Sequence, residues 1–143
     1  MAGYSGKSLA HKLGIVAESA VAAIGAPANY LKLLGPLPKG VRFCAVAAKP
    51  NLIHYFCTER SRLAKDLPSL RKKMRDDAML WVSWPKKSAG VPTTVTEDVV
   101  RECALPLGLV DTKVCAVDET WSGLRLVVRL ANRKLTARAR PVA

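Results

Sequence analysis

From Asn51 to Leu130 the chain alternates between element types in an order that few architectures allow. A strand-like run (residues 52–57) leads into a basic helical stretch (60–74). A second strand (78–83) follows and ends in Trp84-Pro85-Lys86-Lys87. A further helix, from Glu97 to about Leu107, precedes two strands joined through Glu119-Thr120-Trp121-Ser122-Gly123. Parallel neighbours need a crossover between them, and helices supply it, so this order predicts a mostly parallel α/β sheet. The last two strands, 114–118 and 124–130, are joined too closely for a crossover and must be antiparallel. They are expected to close the sheet as an edge hairpin, with 124–130 outermost and blunted by Arg125 and Arg129.

Upstream, Ser8 can cap a short helix that Gly14 closes. Residues 19–24 are small and apolar, as a strand buried on both faces should be, and end at Gly25-Ala26-Pro27. Residues 29–34 give one or two helical turns stopped by Gly35-Pro36, and 41–46 read as the second strand. In the basic helix, Leu63, Leu67, Leu70 and Met74 recur at intervals of three and four, and Pro68 is expected to kink or split it. Thr94-Val95-Thr96-Glu97 has the pattern of a capping box. Residues 1–130 are read as one domain and 131–143 as a basic, poorly ordered tail.

The formal net charge is +12. The excess is concentrated in Arg60, Arg62, Lys65, Arg71, Lys72, Lys73 and Arg75, and again after Glu119, where no acid follows. Such a field suits a nucleic acid, an acidic protein or an anionic ligand, or else it is a solvated helix face. The four cysteines include no Cys-x-x-Cys pair, and Cys44, Cys57 and Cys115 fall in apolar runs, so they are read as small buried hydrophobes. With only His11 and His54 for nitrogen ligands, neither a metal nor a disulfide framework is expected. No apolar run reaches the roughly 18 residues of a membrane span, and a cytoplasmic protein is the expectation.

In this order the chain resembles the three-layer Rossmann-like fold of S-adenosylmethionine-dependent methyltransferases. Leu52-Ile53-His54-Tyr55-Phe56 is similar to that fold's fourth strand. The stretch from Leu67-Pro68-Ser69-Leu70 into Asp76-Asp77-Ala78-Met79-Leu80-Trp81-Val82 is similar to its helix, turn and next strand. More closely, the chain to about Arg129 resembles a family of small bacterial domains of unknown function. The matching segments are Tyr4-Ser5-Gly6, Lys12-Leu13-Gly14-Ile15, Leu34-Gly35-Pro36-Leu37-Pro38, Leu80-Trp81-Val82-Ser83-Trp84-Pro85-Lys86-Lys87, Thr96-Glu97-Asp98-Val99-Val100-Arg101 and Val117-Asp118-Glu119-Thr120-Trp121-Ser122. The methyltransferase resemblance implies a Gly-rich loop after the first strand and an acid ending the second. Here Ile24-Gly25-Ala26-Pro27-Ala28 holds one glycine, and residues 45–49 hold no acid, Lys49 having the opposite charge. The segment before Leu52 is also short for that fold. A degenerate, shortened scaffold without its cofactor is therefore the expectation.

Ligands of open α/β sheets sit beyond the carboxyl ends of the strands. Gly25, Pro27, Thr58, Trp84, Lys86, Lys87, Glu119, Trp121 and Ser122 are expected on that rim, with the tryptophans as flat walls and the lysines facing an anion. Alternatively, both tryptophans plug the end of the core, and Asp118-Glu119 close the hairpin through backbone bonds. Ser5-Gly6-Lys7-Ser8 mimics a phosphate loop but no strand precedes it. His54 sits mid-strand among apolar residues and is read as core. Asp118 and Glu119 would point to opposite faces, against a paired-carboxylate site. Two functions follow from these residues: a noncatalytic binding or regulatory module with a basic surface, or an enzyme using S-adenosylmethionine or a nucleotide.

Overall fold

A computed structural model describes residues 7–130. The expected basic tail and Tyr4-Ser5-Gly6 lie outside these described residues. Among the described residues six strands form one sheet: β1 (Ala20–Ile24), β2 (Arg42–Phe43), β3 (Leu52–Phe56), β4 (Met79–Pro85), β5 (Leu109–Ala116) and β6 (Trp121–Val128). Their order across the sheet is β2-β1-β3-β4-β6-β5. The pairs β1–β2, β1–β3 and β3–β4 are parallel, whereas β6 is antiparallel to both β4 and β5. This is the mostly parallel sheet with an antiparallel end that the element order requires.

Helices cover both faces. Alternation along each strand sends Ile53, Tyr55, Leu80, Val82, Leu124 and Leu126 to one face. There they meet Leu63, Leu67 and Leu70 of α3 (Arg60–Lys73) and Val100 and Ala104 of α4 (Glu97–Ala104). Leu52, Phe56 and Trp81 point to the other face, against Leu9 and Leu13 of α1 (Leu9–Leu13) and Tyr30 and Leu34 of α2 (Tyr30–Leu34). Ser8 caps α1 by accepting from the His11 amide, and Gly14 ends it in the left-handed region at φ 93°. Arg101 ties α4 to β5, pairing with Asp111 at 3.0 Å as well as with Glu97 and Asp98 on its own helix.

Several local expectations are corrected. The last strand of the described residues is not the sheet edge: β6 is inserted between β4 and β5, so β5 is outermost. The burial pattern gives the reason, because Gly123, Leu124, Leu126 and Val128 are buried while Thr112, Lys113 and Val114 of β5 are exposed. β5 also begins at Leu109 rather than 114; its polar Asp111-Thr112-Lys113 reads as loop but suits a solvated edge carrying a bulge. Pro68 neither splits α3 into two helices nor ends it. Its missing N–H would have reached the carbonyl of Ala64, and both residues are exposed, while the leucines on either side of it are held against the sheet. The cap of α4 is Thr96, which accepts from the Val99 amide. Thr94 instead accepts from the Arg60 amide at 2.7 Å and helps start α3.

The second strand shrinks from the expected 41–46 to Arg42–Phe43, and Val46–Ala48 forms a 3-10 turn. It pairs only with Ala20 and Val21, so β1 is buried at Ala20, Val21 and Ala22 but exposed at Ala23. Cys57 is buried as expected, but Cys44, Cys103 and Cys115 are only half-buried, near sheet margins or helix surface where cover is partial. No helix among the described residues is long and apolar enough to cross a membrane.

Candidate functional site

The carboxyl ends of β1 and β3 and the amino end of the antiparallel β6 meet on one rim. There a cleft of about 380 Å³ is lined by Gly25, Phe56, Cys57, Thr58, Glu59, Arg62 and Trp121. Three of the rim residues expected from sequence (Gly25, Thr58 and Trp121) therefore come together.

Gly25 is demanded by the backbone. Its φ is +68°, and a Cβ built there would lie 2.9 Å from the Phe56 carbonyl oxygen. The turn after β1 thus packs directly on the end of β3. A Gly25→Ala change is expected to lower stability by about 1–3 kcal/mol, through left-handed strain and this contact. Chemical denaturation of the purified variant measures that loss.

Trp121 is placed by the hairpin turn. Asp118 Oδ1 accepts from the Thr120 and Trp121 amides at 2.8 and 2.7 Å, and the Trp121 carbonyl accepts from Val117 at 2.9 Å. The half-buried indole meets Phe56 edge to face, with centroids 5.0 Å apart. Phe56 in turn stacks on His54 at 4.2 Å. Thr58 is held by its carbonyl, which accepts from the Thr94 amide and the Thr93 hydroxyl. Glu59 and Arg62 are exposed at the start of α3.

The other expected residues stand elsewhere. The Pro27 carbonyl accepts from the Tyr30 amide and starts α2. Trp84 is 7% exposed and packs in the core on the α3–α4 face. Lys86 is half-buried, its amide donating to the Thr120 carbonyl at 2.8 Å, and Lys87 is exposed in a 3-10 turn. Ser122 lies in β6 opposite Trp84 and Ala116, and Glu119 is exposed at the hairpin tip. None of these lines the cleft. Lys49, which follows the second strand near where the resemblance implies an acid, lies at the opposite rim, where its Nζ donates to the Lys73 carbonyl at the end of α3. Sequence reasoning did not single out Phe56, Cys57, Glu59 and Arg62. The signal available was that the first helical turn after a parallel strand always faces the rim.

The titratable groups near the cleft are subdued. Burial pushes the Cys57 thiol up, and its Sγ donates to the Glu59 carbonyl. His54, beneath Phe56, is fully buried, and burial lowers it to about 3. Its Nδ1 lies 2.8 Å from the Tyr30 hydroxyl and its Nε2 2.7 Å from Ser83 Oγ. Ser83 is itself fully buried. This Tyr-His-Ser chain has the contacts of a nucleophile and base but no opening to solvent, and it acts as a satisfied polar core. The described residues contain no cluster of His, Cys, Asp or Glu that could hold a metal ion.

The order of strands, the helices on both faces and the rim cleft define a Rossmann-like fold of the methyltransferase type. A SAM-dependent methyltransferase from Aquifex aeolicus superposes with a TM-score of 0.58 at 15% identity, covering 84% of this chain and 88% of that one. The ribosomal protein L11 methylase of Lactobacillus delbrueckii subsp. bulgaricus gives 0.55 at 12% identity, over 85% and 77%. Magnesium protoporphyrin IX methyltransferase of Synechocystis, solved with bound SAH, gives 0.51 at 12% identity, over 84% and 78%. At these identities the likeness is one of fold. The chain itself belongs to the DUF3052 family, proteins of unknown function, whose model matches residues 51–130. No functionally curated protein matches the sequence.

Proposed function

We propose that this protein is a noncatalytic binding module whose rim cleft holds a small ligand with a flat group and an anionic group. The observation that carries this reading is the cleft itself. It joins an aromatic wall (Phe56 and Trp121) to the Thr58 hydroxyl and the Arg62 guanidinium, the combination a small-molecule site requires. Three features support binding without chemistry. The single glycine of the β1 turn is used for packing on β3 rather than for cradling a ligand. The imidazole beneath the cleft is sealed and spends both nitrogens on hydroxyls. The cleft's thiol is driven toward its neutral form. Fold alone does not restore an activity that these residues leave unsupported.

Calorimetric titration tests this with two ligands, a nucleoside monophosphate and S-adenosylhomocysteine. Saturable, sub-millimolar binding of the monophosphate is expected, with quenching of Trp121 fluorescence. Micromolar, salt-insensitive binding of S-adenosylhomocysteine, with methyl transfer from S-adenosylmethionine, would overturn the reading in favour of the enzyme. No heat from either ligand at millimolar concentration would remove the cleft as a ligand site.

A further inference from the structure

The cleft does not end at Arg62. It adjoins a second depression of about 480 Å³, lined by Glu59, Ser61, Arg62, Lys65 and Asp66, with which it shares Glu59 and Arg62. That depression meets a third, of about 180 Å³, lined by Ile24, Tyr55, Asp66, Ser69 and Leu70. Together they make a groove running down the side of α3 that faces β1. Ile24, at the end of β1, lines its far side, while the short β2 pairs only with Ala20 and Val21.

Arg62 and Lys65 line this groove, and the same helix face carries a stripe of cations beyond it. Arg62, Lys65, Ser69 and Lys72 follow each other at helical spacings of three, four and three, with Lys73 beside the last. Arg62, Lys65, Lys72 and Lys73 are exposed and make no ion pair among the described residues. Lys49 joins them at the foot, where its Nζ donates to the Lys73 carbonyl. The acids along the groove are Glu59 and Asp66, and Asp66 is engaged by the Tyr55 hydroxyl at 2.6 Å. From Arg62 to Lys72 the stripe is about 15 Å long at the helical rise, enough to follow several consecutive phosphates.

We infer that this groove binds a single-stranded nucleic acid, with phosphates along Arg62, Lys65 and Lys72 and one base against Trp121. The inference rests on the cleft being a ligand site and names the polymer that would enter it. A charged track leading to an aromatic face is how sequence-tolerant single-strand binding is built. Duplex is disfavoured, because its bases are stacked away and cannot reach an indole recessed in the cleft. An acidic peptide would satisfy the lysines but has no planar group for Trp121.

The chain's three tryptophans make the test direct, since Trp81 and Trp84 are buried and Trp121 alone is half-exposed. Fluorescence is titrated with uridine monophosphate, hexauridylate, a hairpin duplex and a hexaglutamate peptide, on the full chain and on Lys65→Glu/Lys72→Glu. Both lysines are exposed, and circular dichroism checks that the variant folds. Hexauridylate is expected to quench at least about tenfold more tightly than the monophosphate, weakening steeply as salt rises from about 50 to about 200 mM. The double charge reversal is expected to remove that gain and leave monophosphate binding nearly unchanged. If hexauridylate is no tighter than the monophosphate, or if duplex or hexaglutamate binds as well, the inference fails while the small-ligand reading stands. If the monophosphate also fails to quench, both fall.

Discussion

Replacing Trp81 with alanine is expected to cost on the order of 3–5 kcal/mol, the usual range for emptying a large aromatic site. Against a typical total of about 5–15 kcal/mol, that leaves a marginal protein or an unfolded one. Trp81 lies at the middle of β4, fully buried, with its indole N–H donating to the Leu13 carbonyl at 2.9 Å. That bond fastens the end of α1 to the sheet, so alanine also leaves a buried carbonyl unpaired. A second observation sharpens the test. A Cβ added at Gly123 would lie 3.1 Å from the six-membered ring of Trp81 and 3.2 Å from Ser83 Oγ. Gly123→Ala should therefore be destabilising alone and less so in a Trp81→Phe background, where the ring is smaller. Urea denaturation of the two single variants and the double variant gives the coupling. Strict additivity would mean that Gly123 is not shaped by the indole.

The second large effect is a loss of stability in mild acid. In the unfolded chain His54 titrates near its ordinary value of about 6.5. In the folded protein burial lowers it to about 3. Between those values the unfolded state binds a proton that the native state refuses. Stability is therefore complete above about pH 6.5 and falls as pH decreases below it, by up to about 1.4 kcal/mol per unit. His54→Gln should flatten this slope between about pH 6.5 and pH 5.5, because an amide does not titrate there. It should also lower stability at neutral pH by about 1–3 kcal/mol, as the Tyr30 and Ser83 hydroxyls lose their shared partner. Denaturation midpoints at the two pH values, for both proteins, check the sign. An unchanged slope in the variant would place the acid sensitivity elsewhere.

The architecture could be read from the chain because its signals are local and repeated. Strands alternating with amphipathic helices force a parallel sheet, and Leu63, Leu67 and Leu70 show which face of α3 turns inward. Lateral order is another matter. Nothing in residues 109–130 says that the last strand enters beside β4, because both arrangements of the hairpin keep the same turn and the same alternation. Only the completed sheet, with Leu124 and Leu126 under α3 and α4, selects it. The site divides in the same way. Gly25 and Trp121 announce themselves as a turn glycine and an aromatic in a hairpin turn. Glu59 and Arg62 look from sequence like any charged residues of a basic helix, and only the abutment of the β1 turn on Phe56 brings them to a cleft. Trp84 and Lys87 stood out by composition, yet one lies near the end of strand β4 on the core side and the other in the 3-10 turn beyond it.

The insertion of β6 between β4 and β5 has a consequence for how the chain is made. Synthesis delivers β1, β3 and β4 in order, and each can pair with its predecessor as it emerges. The outer hydrogen-bonding edge of β4, seven residues long, then waits bare until Trp121–Val128 leaves the ribosome. During that interval an apolar strand edge is open to neighbouring chains. Premature stops between α4 and β6 should thus yield insoluble products, whereas the same chain extended past Val128 should not.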